Sequence, residues 1–318
     1  MLEFYLRILK GDVEAGRFTG SQSRMDEVLI GGHVSIAGGL LNAFDNAIAI
    51  GANFIQIFTN SPRVWKSSVV SDEESSRFRQ ELTTGSSGVR GLVTHASYLI
   101  NLASADPELL EKSVRVLVDN VRSASKLDAR GVVLHLGSHK GAGLESCLGR
   151  IKPSLLAALD SATQPCRIFL ENTAGAGGSI GTSFEELARV IDALDADDRL
   201  GICLDTQHLF ASGVTFQTMA EADAVVDRLS KTVGIERLGC IHFNDSKVPA
   251  GSLKDRHQNL GEGLIGGEAL GNLVSHPSLL GIPLILETPG GGSGPRTLDV
   301  EIARELLRSG IERRAKSV

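Results

Sequence analysis

The chain has 318 residues, of which 42% are hydrophobic and 22% are charged, a balance typical of a globular protein with a substantial core. No apolar run approaches the roughly 20 residues that a membrane-spanning helix needs, so no membrane association is expected. The formal net charge of -6 argues against a generally basic nucleic-acid binder. Bulk charge does not decide the partner, because bound divalent cations would make an acidic site a positive patch.

The N-terminal segment, residues 1–27, differs in pattern from the rest of the chain. Charges interrupt its apolar part and no small-residue cleavage site follows, so no signal peptide is indicated and a cytoplasmic location is expected. Met25 provides an alternative start, and we interpret the segment as a disordered or artefactual extension. The four cysteines form no CxxC pair, so neither a disulfide framework nor a thiolate zinc site is indicated.

Eight apolar, β-rich runs are predicted to be strands, at residues 29–36, 54–58, 91–96, 131–136, 167–171, 200–205, 237–243 and 283–288. Apolar residues at helical spacing lie between them, as at residues 43–51, 107–129, 153–162 and 183–194. Ser183 followed by Glu186 predicts a capping box at the start of one helix. Alternating strands and helices predict a parallel sheet with right-handed crossovers.

Eight such repeats are the number that closes a (β/α)₈ TIM barrel, and a doubly wound open sheet is the alternative fold. The barrel is favoured because polar residues end the third to the eighth strand, and only a closed barrel brings those ends to one centre. We therefore predict a single α/β barrel domain over residues 28–309. A polar, basic tail, residues 310–318, is expected to fray.

Nine side chains with metal-binding chemistry follow these apolar runs: His95, His135, Glu171, Asp205, His208, His242, Asp255, His257 and Glu287. A single histidine at a strand end is usually a polar residue with ordinary hydrogen bonds, and we interpret His33, His139 and His276 in this way. His33 is also a candidate hydrogen-bond donor to the site. Nine residues from seven segments instead indicate a multinuclear metal centre. Imidazole and carboxylate without thiolate suit Zn, Mn or Fe.

Two loops are rich in glycine, at residues 172–181 and 290–295. Their backbone N–H groups are candidates for phosphate contacts, because glycine allows close approach of a ligand. Neither loop carries the GK[ST] ending of a nucleotide-binding P-loop, so no nucleotide cofactor is expected. A flexible loop explains each segment equally well.

Two further loops contain large side chains next to the predicted site. Core packing accounts for Trp65 and Ile100. Arg63 with Tyr98 and Leu99 would also suit a wedge that enters a DNA groove and unstacks a base pair. The residues alone leave both interpretations open.

Nine motifs resemble, in order, those of the endonuclease IV family of apurinic/apyrimidinic (AP) endonucleases: HVSIAGGL, FTNSPRVW, THASYLINLAS, LHLGSHKGAG, LENTAG, LDTQHLFASG, IHFNDSK, KDRHQNLGEG and LETPG. The resemblance runs from about Met25 to about Leu307. All nine ligand positions carry the expected residue types. One departure is Ala96 after His95, where relatives often carry a second histidine, and it leaves the ligand set untouched.

The resemblance implies a centre of about three Zn²⁺ per chain, with Mn²⁺ an alternative at one position. It implies three ligand groups: His95, His135 and Glu171; then Glu171 as a bridge with Asp205, His242 and Glu287; then His208, Asp255 and His257. Arg63, Tyr98 and Leu99 match the DNA-penetrating positions of the family. The N-terminal extension has no counterpart there.

The implied activity is zinc-dependent hydrolysis of the phosphodiester 5' to an abasic site in duplex DNA, in base excision repair. It would leave 3'-hydroxyl and 5'-deoxyribose-phosphate ends, and the same site would remove 3'-blocking groups. Glu171 or Glu287 would orient the attacking water. The expected partner is double-stranded DNA with abasic sites or blocked 3' ends, and a monomer is expected. The alternatives are a xylose-isomerase-like sugar isomerase or epimerase and a damage-binding scaffold without turnover.

Overall fold

A closed barrel of eight parallel strands forms the centre of the protein, which a computed structural model describes over residues 28–316. The strands in this range are β1 Ile30–His33, β2 Phe54–Phe58, β3 Leu92–His95, β4 Gly131–Leu134, β5 Arg167–Glu171, β6 Leu200–Asp205, β7 Leu238–His242, β8 Asp245–Ser246, β9 His257–Gln258 and β10 Leu284–Leu286. The short strands β8 and β9 form a separate antiparallel pair, and β1 closes the barrel by pairing with both β2 and β10. The predicted TIM barrel is confirmed, and the open-sheet alternative is wrong.

Helices follow the strands around the outside of the barrel. Within residues 28–316 they are α1 Asn42–Ile50, α2 Asp72–Thr84, α3 Pro107–Lys126, α4 Leu148–Leu159, α5 Phe184–Ala193, α6 Thr206–Ala211, α7 Met219–Thr232, α8 Gly267–Val274 and α9 Thr297–Lys316. Three single-turn 3₁₀ helices accompany them at Ala176–Gly178, Ile235–Arg237 and Pro277–Leu279. Among residues 28–316, no helix combines the length and the apolar character that crossing a membrane requires.

Helix α5 begins differently from the predicted capping box. The Ser183 hydroxyl accepts a hydrogen bond from the Glu186 N–H, as predicted for an N-cap. The Glu186 carboxylate, however, accepts from the N–H groups of Gly181 and Thr182, each at 2.9 Å, and not from that of Ser183. Glu186 therefore fixes the end of the glycine-rich loop to the start of the helix. Complete capping boxes begin α2 and α7 instead.

A layer of buried side chains fills the barrel below the strand ends: Phe54, Val93, Val133, Phe169, Cys203, Cys240 and Ile285. Three glycines, Gly131 on β4, Gly201 on β6 and Gly239 on β7, make room for the ring of Phe169. A Cβ atom at Gly239 would lie 2.3 Å from the ring, and one at Gly131 would lie 2.6 Å from it. The guanidinium of Arg167 lies over the ring of Phe169, 5.5 Å from its centroid. The interior of the barrel is therefore a packed core, and the side chains at the rim of the barrel rest on this packed layer.

The C-terminal tail is ordered as part of α9, which continues to Lys316. Ile311 and Arg314 are buried. Arg314 donates hydrogen bonds to Ser275 Oγ and the Asn272 carbonyl, and pairs with Asp223 at 2.6 Å. The prediction that the chain frays after residue 309 is therefore wrong for residues 310–316. The predicted extension, residues 1–27, lies outside the described residues.

The barrel core gives a stability prediction for Phe169→Ala. Removing this ring leaves a cavity between three glycines that have no side chains to fill it, so we expect a loss of about 3–5 kcal/mol in the free energy of unfolding. Urea or guanidinium unfolding of the metal-stripped protein measures it. Leu298→Ala is the control, because Leu298 is 49% exposed and should change stability by less than about 0.5 kcal/mol. A loss below about 1 kcal/mol for Phe169→Ala would contradict this description of the core.

Candidate metal centre

The predicted ligands converge on one end of the barrel, because the carboxyl ends of parallel strands all face the same rim. Four of them are the last residues of their strands: His95, Glu171, Asp205 and His242. His135 and Glu287 each follow directly after β4 and β10. Helix α6 contributes His208, Asp255 lies two residues before β9, and His257 is the first residue of β9.

The first group of ligand atoms contains His95, His135 and Glu171, all within 4.8 Å of one another. The Nε2 atoms of His95 and His135 lie 3.4 and 3.1 Å from Glu171 Oε2. These three side chains come from three consecutive barrel strands. The family resemblance implied the same three residues as one ligand group.

The second group contains Glu171, Asp205, His242 and Glu287. His242 Nδ1 lies 3.0 Å from Glu171 Oε1 and 3.2 Å from Glu287 Oε2. The two oxygens of Glu171 therefore face different groups, Oε2 the first and Oε1 the second. A carboxylate with this geometry could offer one oxygen to a cation in each group.

The third group differs from the expected one. Its ligand atoms belong to Asp205, His208 and His257, with Asp205 Oδ2 3.4 Å from His257 Nε2. Asp255 lies at the outer edge, with its carboxylate 3.4 Å from His208 Nε2 and 3.5 Å from His257 Nε2. Asp205 is thus shared between the second and third groups, as Glu171 is between the first and second.

The electrostatics of the centre fit a site for cations. Burial acts to raise the pKa of Glu171, but His135 and His242 hold it well below its ordinary value. Burial opposes protonation of His242, yet Glu287 and Glu171 raise its pKa to about 10. Glu171 Oε2 and His257 Nε2 are buried and make no hydrogen bond. Buried carboxylates and unsatisfied ligand atoms of N and O type fit a cluster of divalent cations.

Two asparagines that the sequence analysis did not single out hold Asp205 in place. Asn172 Oδ1 accepts from the Asp205 N–H at 2.6 Å, and its backbone carbonyl lies 3.0 Å from His208 Nδ1. Asn244 Nδ2 donates to Asp205 Oδ2 at 2.8 Å, while its Oδ1 accepts from the Glu287 N–H. Both asparagines follow a strand end that carries a predicted ligand, and this position is the signal that identifies them.

The other three histidines, His33, His139 and His276, lie outside the three ligand groups. His33 Nδ1 lies 3.0 Å from Glu287 Oε1, so His33 supports the site without joining a ligand group. His139 Nδ1 accepts from the Gly141 N–H, and His276 Nδ1 accepts from the Ser278 N–H. These last two histidines have local structural hydrogen bonds.

The candidate wedge residues lie on the rim beside the first group. Tyr98 is 52% exposed, and its ring centroid lies 5.4 Å from that of His95. Leu99 is half-buried and Arg63 is exposed. The predicted packing of the two remaining large residues also holds, since Ile100 is buried and Trp65 packs against the core.

A cavity of about 520 Å³ opens beside these residues, between the loops that follow β3, β4 and β5. Tyr98 and Leu99 line one side, and His135, His208 and Asp255 line the side toward the candidate metal centre. The glycine-rich loop, residues 172–181, forms the far wall. Ser138 joins this wall to the β4 loop by donating to the Gly177 carbonyl at 2.6 Å.

Comparisons with known proteins show which proteins this chain is similar to. The family description "Xylose isomerase-like TIM barrel" matches residues 44–310. A protein of Halothermothrix orenii named "Probable endonuclease 4" is 40% identical over 279 residues, which cover 88% of this chain and 99% of that protein. A protein of the same name from Methanoculleus marisnigri is 38% identical over 280 residues, with 88% and 99% covered.

Solved structures give the same result. Endonuclease IV from Thermus thermophilus is 36% identical with a TM-score of 0.75, covering 88% of this chain and 99% of that one. A D-tagatose 3-epimerase-like protein reaches a TM-score of 0.65 at 19% identity, which shows a shared fold alone. The sugar-isomerase alternative therefore has the support of the fold only. The chain is an enzyme that belongs to the endonuclease IV family, within the xylose isomerase-like TIM barrels.

Proposed function

We propose that this protein is an AP endonuclease that hydrolyses the phosphodiester 5' to an abasic site in duplex DNA. The carrying observation is the rim of histidines and carboxylates in three adjoining groups, joined by Glu171 and Asp205, in a chain of the endonuclease IV family. The products would be a 3'-hydroxyl and a 5'-deoxyribose phosphate. Removal of 3'-blocking groups would use the same residues, because it breaks the same kind of bond.

The ligand set fits about three Zn²⁺ ions, since it offers imidazole and carboxylate donors, with Mn²⁺ an alternative at one position. The three groups would each hold one ion, and Asp255 would complete the outermost. Bound divalent ions make a coordinated water acidic and offset negative charge on phosphoryl oxygens. Glu171 and Asp205 would each contribute to two neighbouring groups.

Glu287 is the better placed of the two proposed catalytic carboxylates to orient the attacking water. Its side chain is 12% exposed, whereas that of Glu171 is completely buried. Glu287 Oε1 is occupied by donors from within the barrel, and Oε2 is the oxygen that faces the ligand groups. Glu171 has both oxygens directed at histidines, so its part is to hold the groups together.

Selectivity for abasic DNA would come from the cost of extruding a nucleotide. An intact base must unstack at a cost of about a few kcal/mol, and an abasic site lacks most of that cost. Tyr98 and Leu99 stand beside the cavity and the candidate metal centre, so they would fill the gap in the helix while the abasic sugar reaches the ligand groups. Arg63, exposed on the neighbouring loop, would contact the strand.

The partner would be double-stranded DNA that carries abasic sites or blocked 3' ends, in base excision repair. All three ligand groups come from one chain, so we propose that a monomer acts. An intracellular location follows from this substrate.

The first test is incision of a duplex oligonucleotide with one tetrahydrofuran abasic analogue, with metal content measured on the same sample. We expect a single cut 5' to the analogue, about three ions per chain, and loss of both on prolonged chelation. Glu287→Gln should lower kcat by roughly 10²–10⁴-fold. Glu145→Gln is the control, because Glu145 is an exposed partner of Arg189 outside the ligand groups.

Two outcomes would contradict the proposal. A fully metallated sample that binds the lesion duplex without cutting it would indicate a damage-binding scaffold. Epimerisation of a sugar without incision would restore the isomerase alternative.

The wedge residues generate a second prediction. Tyr98→Ala combined with Leu99→Ala should lower kcat/KM on the abasic duplex by about tenfold or more, because the gap in the helix is then left unfilled. Leu298→Ala serves as the control, since it removes an exposed leucine on α9. Metal content should be unchanged in both. Unchanged cleavage by the double variant would exclude a wedge at this position.

The pKa of His242 generates a third prediction, for the metal-stripped protein. The folded-state pKa of about 10 lies above the unfolded value of about 6.5, so only the folded state holds this proton between those pH values. The stabilisation is complete below about pH 6.5, and the free energy of unfolding should fall as pH rises toward 10. Urea unfolding across this range measures the slope. It should be smaller in His242→Gln than in the wild type or in the control His139→Gln, and equal slopes would contradict the prediction.

A further inference from the structure

We infer that Gln56 is a positioning residue for the second ligand group, where it sets the tautomer of His242 and the orientation of Glu287. This inference rests on the proposed metal site. The sequence motifs do not include Gln56, and the three ligand groups consist of histidines and carboxylates.

Gln56 lies in an unusual place for an amide side chain. It is the central residue of β2, whose sequence is otherwise apolar (FIQIF), and it is completely buried. An amide in such a position costs free energy unless its donors and acceptor are all paired. Its polarity therefore has a specific use in the folded protein.

The carboxamide lies between two members of the same ligand group. Gln56 Nε2 donates to Glu287 Oε1 at 2.7 Å. Gln56 Oε1 lies 2.8 Å from His242 Nε2. One neutral side chain from β2 thus joins the ends of β7 and β10 across the barrel interior.

The chemistry of the two partners determines which atom of the Gln56 amide donates and which accepts. A carboxylate accepts hydrogen bonds and cannot donate, so the amide nitrogen must face Glu287 and the amide oxygen must face His242. His242 must then donate through Nε2–H. Its Nδ1, which lies 3.0 Å from Glu171 Oε1 and 3.2 Å from Glu287 Oε2, is left as the nitrogen that faces the group. A histidine ligand is commonly oriented in this way by a hydrogen bond from its other ring nitrogen.

Gln56 also orients Glu287, together with His33. Its Oε1 contacts both Gln56 Nε2 and His33 Nδ1, at 2.7 and 3.0 Å. With Oε1 held by two groups, Oε2 is the oxygen directed toward His242 and the ligand atoms. Gln56 therefore acts on two of the four members of the second group.

The test is metal affinity, measured by competition with a chromogenic chelator on Gln56→Met. Methionine has a similar length and makes no comparable hydrogen bond, so we expect the affinity for one of the bound Zn²⁺ ions to fall about 10–100-fold. Thr94→Val is the matched control, because Thr94 is buried on the adjacent strand and its hydroxyl has no hydrogen-bond partner. It should bind Zn²⁺ like the wild type.

If Gln56 only stabilised the fold, its replacement would change stability and not metal affinity. Gln56→Met would then lower the unfolding midpoint of the stripped protein and leave Zn²⁺ affinity within about twofold of the wild type, which would overturn the inference. If the wild type itself holds no Zn²⁺, the proposed metal function fails, and the inference fails with it. If the wild type and Gln56→Met each bind three Zn²⁺ ions with equal affinity, the positioning role of Gln56 is refuted and the proposed metal site is not.

A second measurement needs no variant. Selective ¹⁵N labelling of histidine in the Zn²⁺-loaded wild type reports which ring nitrogen of His242 carries the proton. We expect a slowly exchanging Nε2–H signal, since that proton is buried against Gln56. A proton on Nδ1 would refute the assigned tautomer.

Discussion

The carboxylate of Glu171 is completely buried, and burying a charge in a protein interior requires partners of opposite charge or a cation. Histidines from β3, β7, the end of β4 and helix α6 supply the nearest groups, and no two of these side chains are neighbours in sequence. Only a closed barrel directs so many strand ends at one carboxylate. The position of Glu171 therefore depends on the register of every strand around it.

The layer below explains how the barrel tolerates such a centre. Two residues before Glu171, Asp205 and His242 along their strands stand Phe169, Cys203 and Cys240, which point inward because side chains alternate with period two. This lower layer is apolar and tightly packed. It excludes water from beneath the polar rim, so a ligand group at the rim meets solvent from one side only.

The sequence predicted what depends on periodicity and position along a strand. Eight strands, the barrel and the convergence of the strand-end side chains all follow from the order of apolar runs. The sharing of Asp205 between two groups was not predictable, because it depends on the direction of each carboxylate oxygen in the folded barrel. Gln56 was missed for a similar reason, since its partners lie on strands far away in sequence. The tail was mispredicted because the partners of Arg314, Asp223 on α7 and Ser275 directly after α8, are brought to it only by the fold.

The acidic character of the chain is compatible with a polyanionic substrate once the candidate metal centre is considered as a whole. Glu171, Asp205, Asp255 and Glu287 contribute four negative charges at one rim. Protons on histidine offset part of this charge in the absence of metal, as the raised pKa values of His208 and His242 indicate. About three divalent cations would displace those protons and leave the rim net positive. The same carboxylates would thus hold the cations that create a positive patch for a phosphodiester.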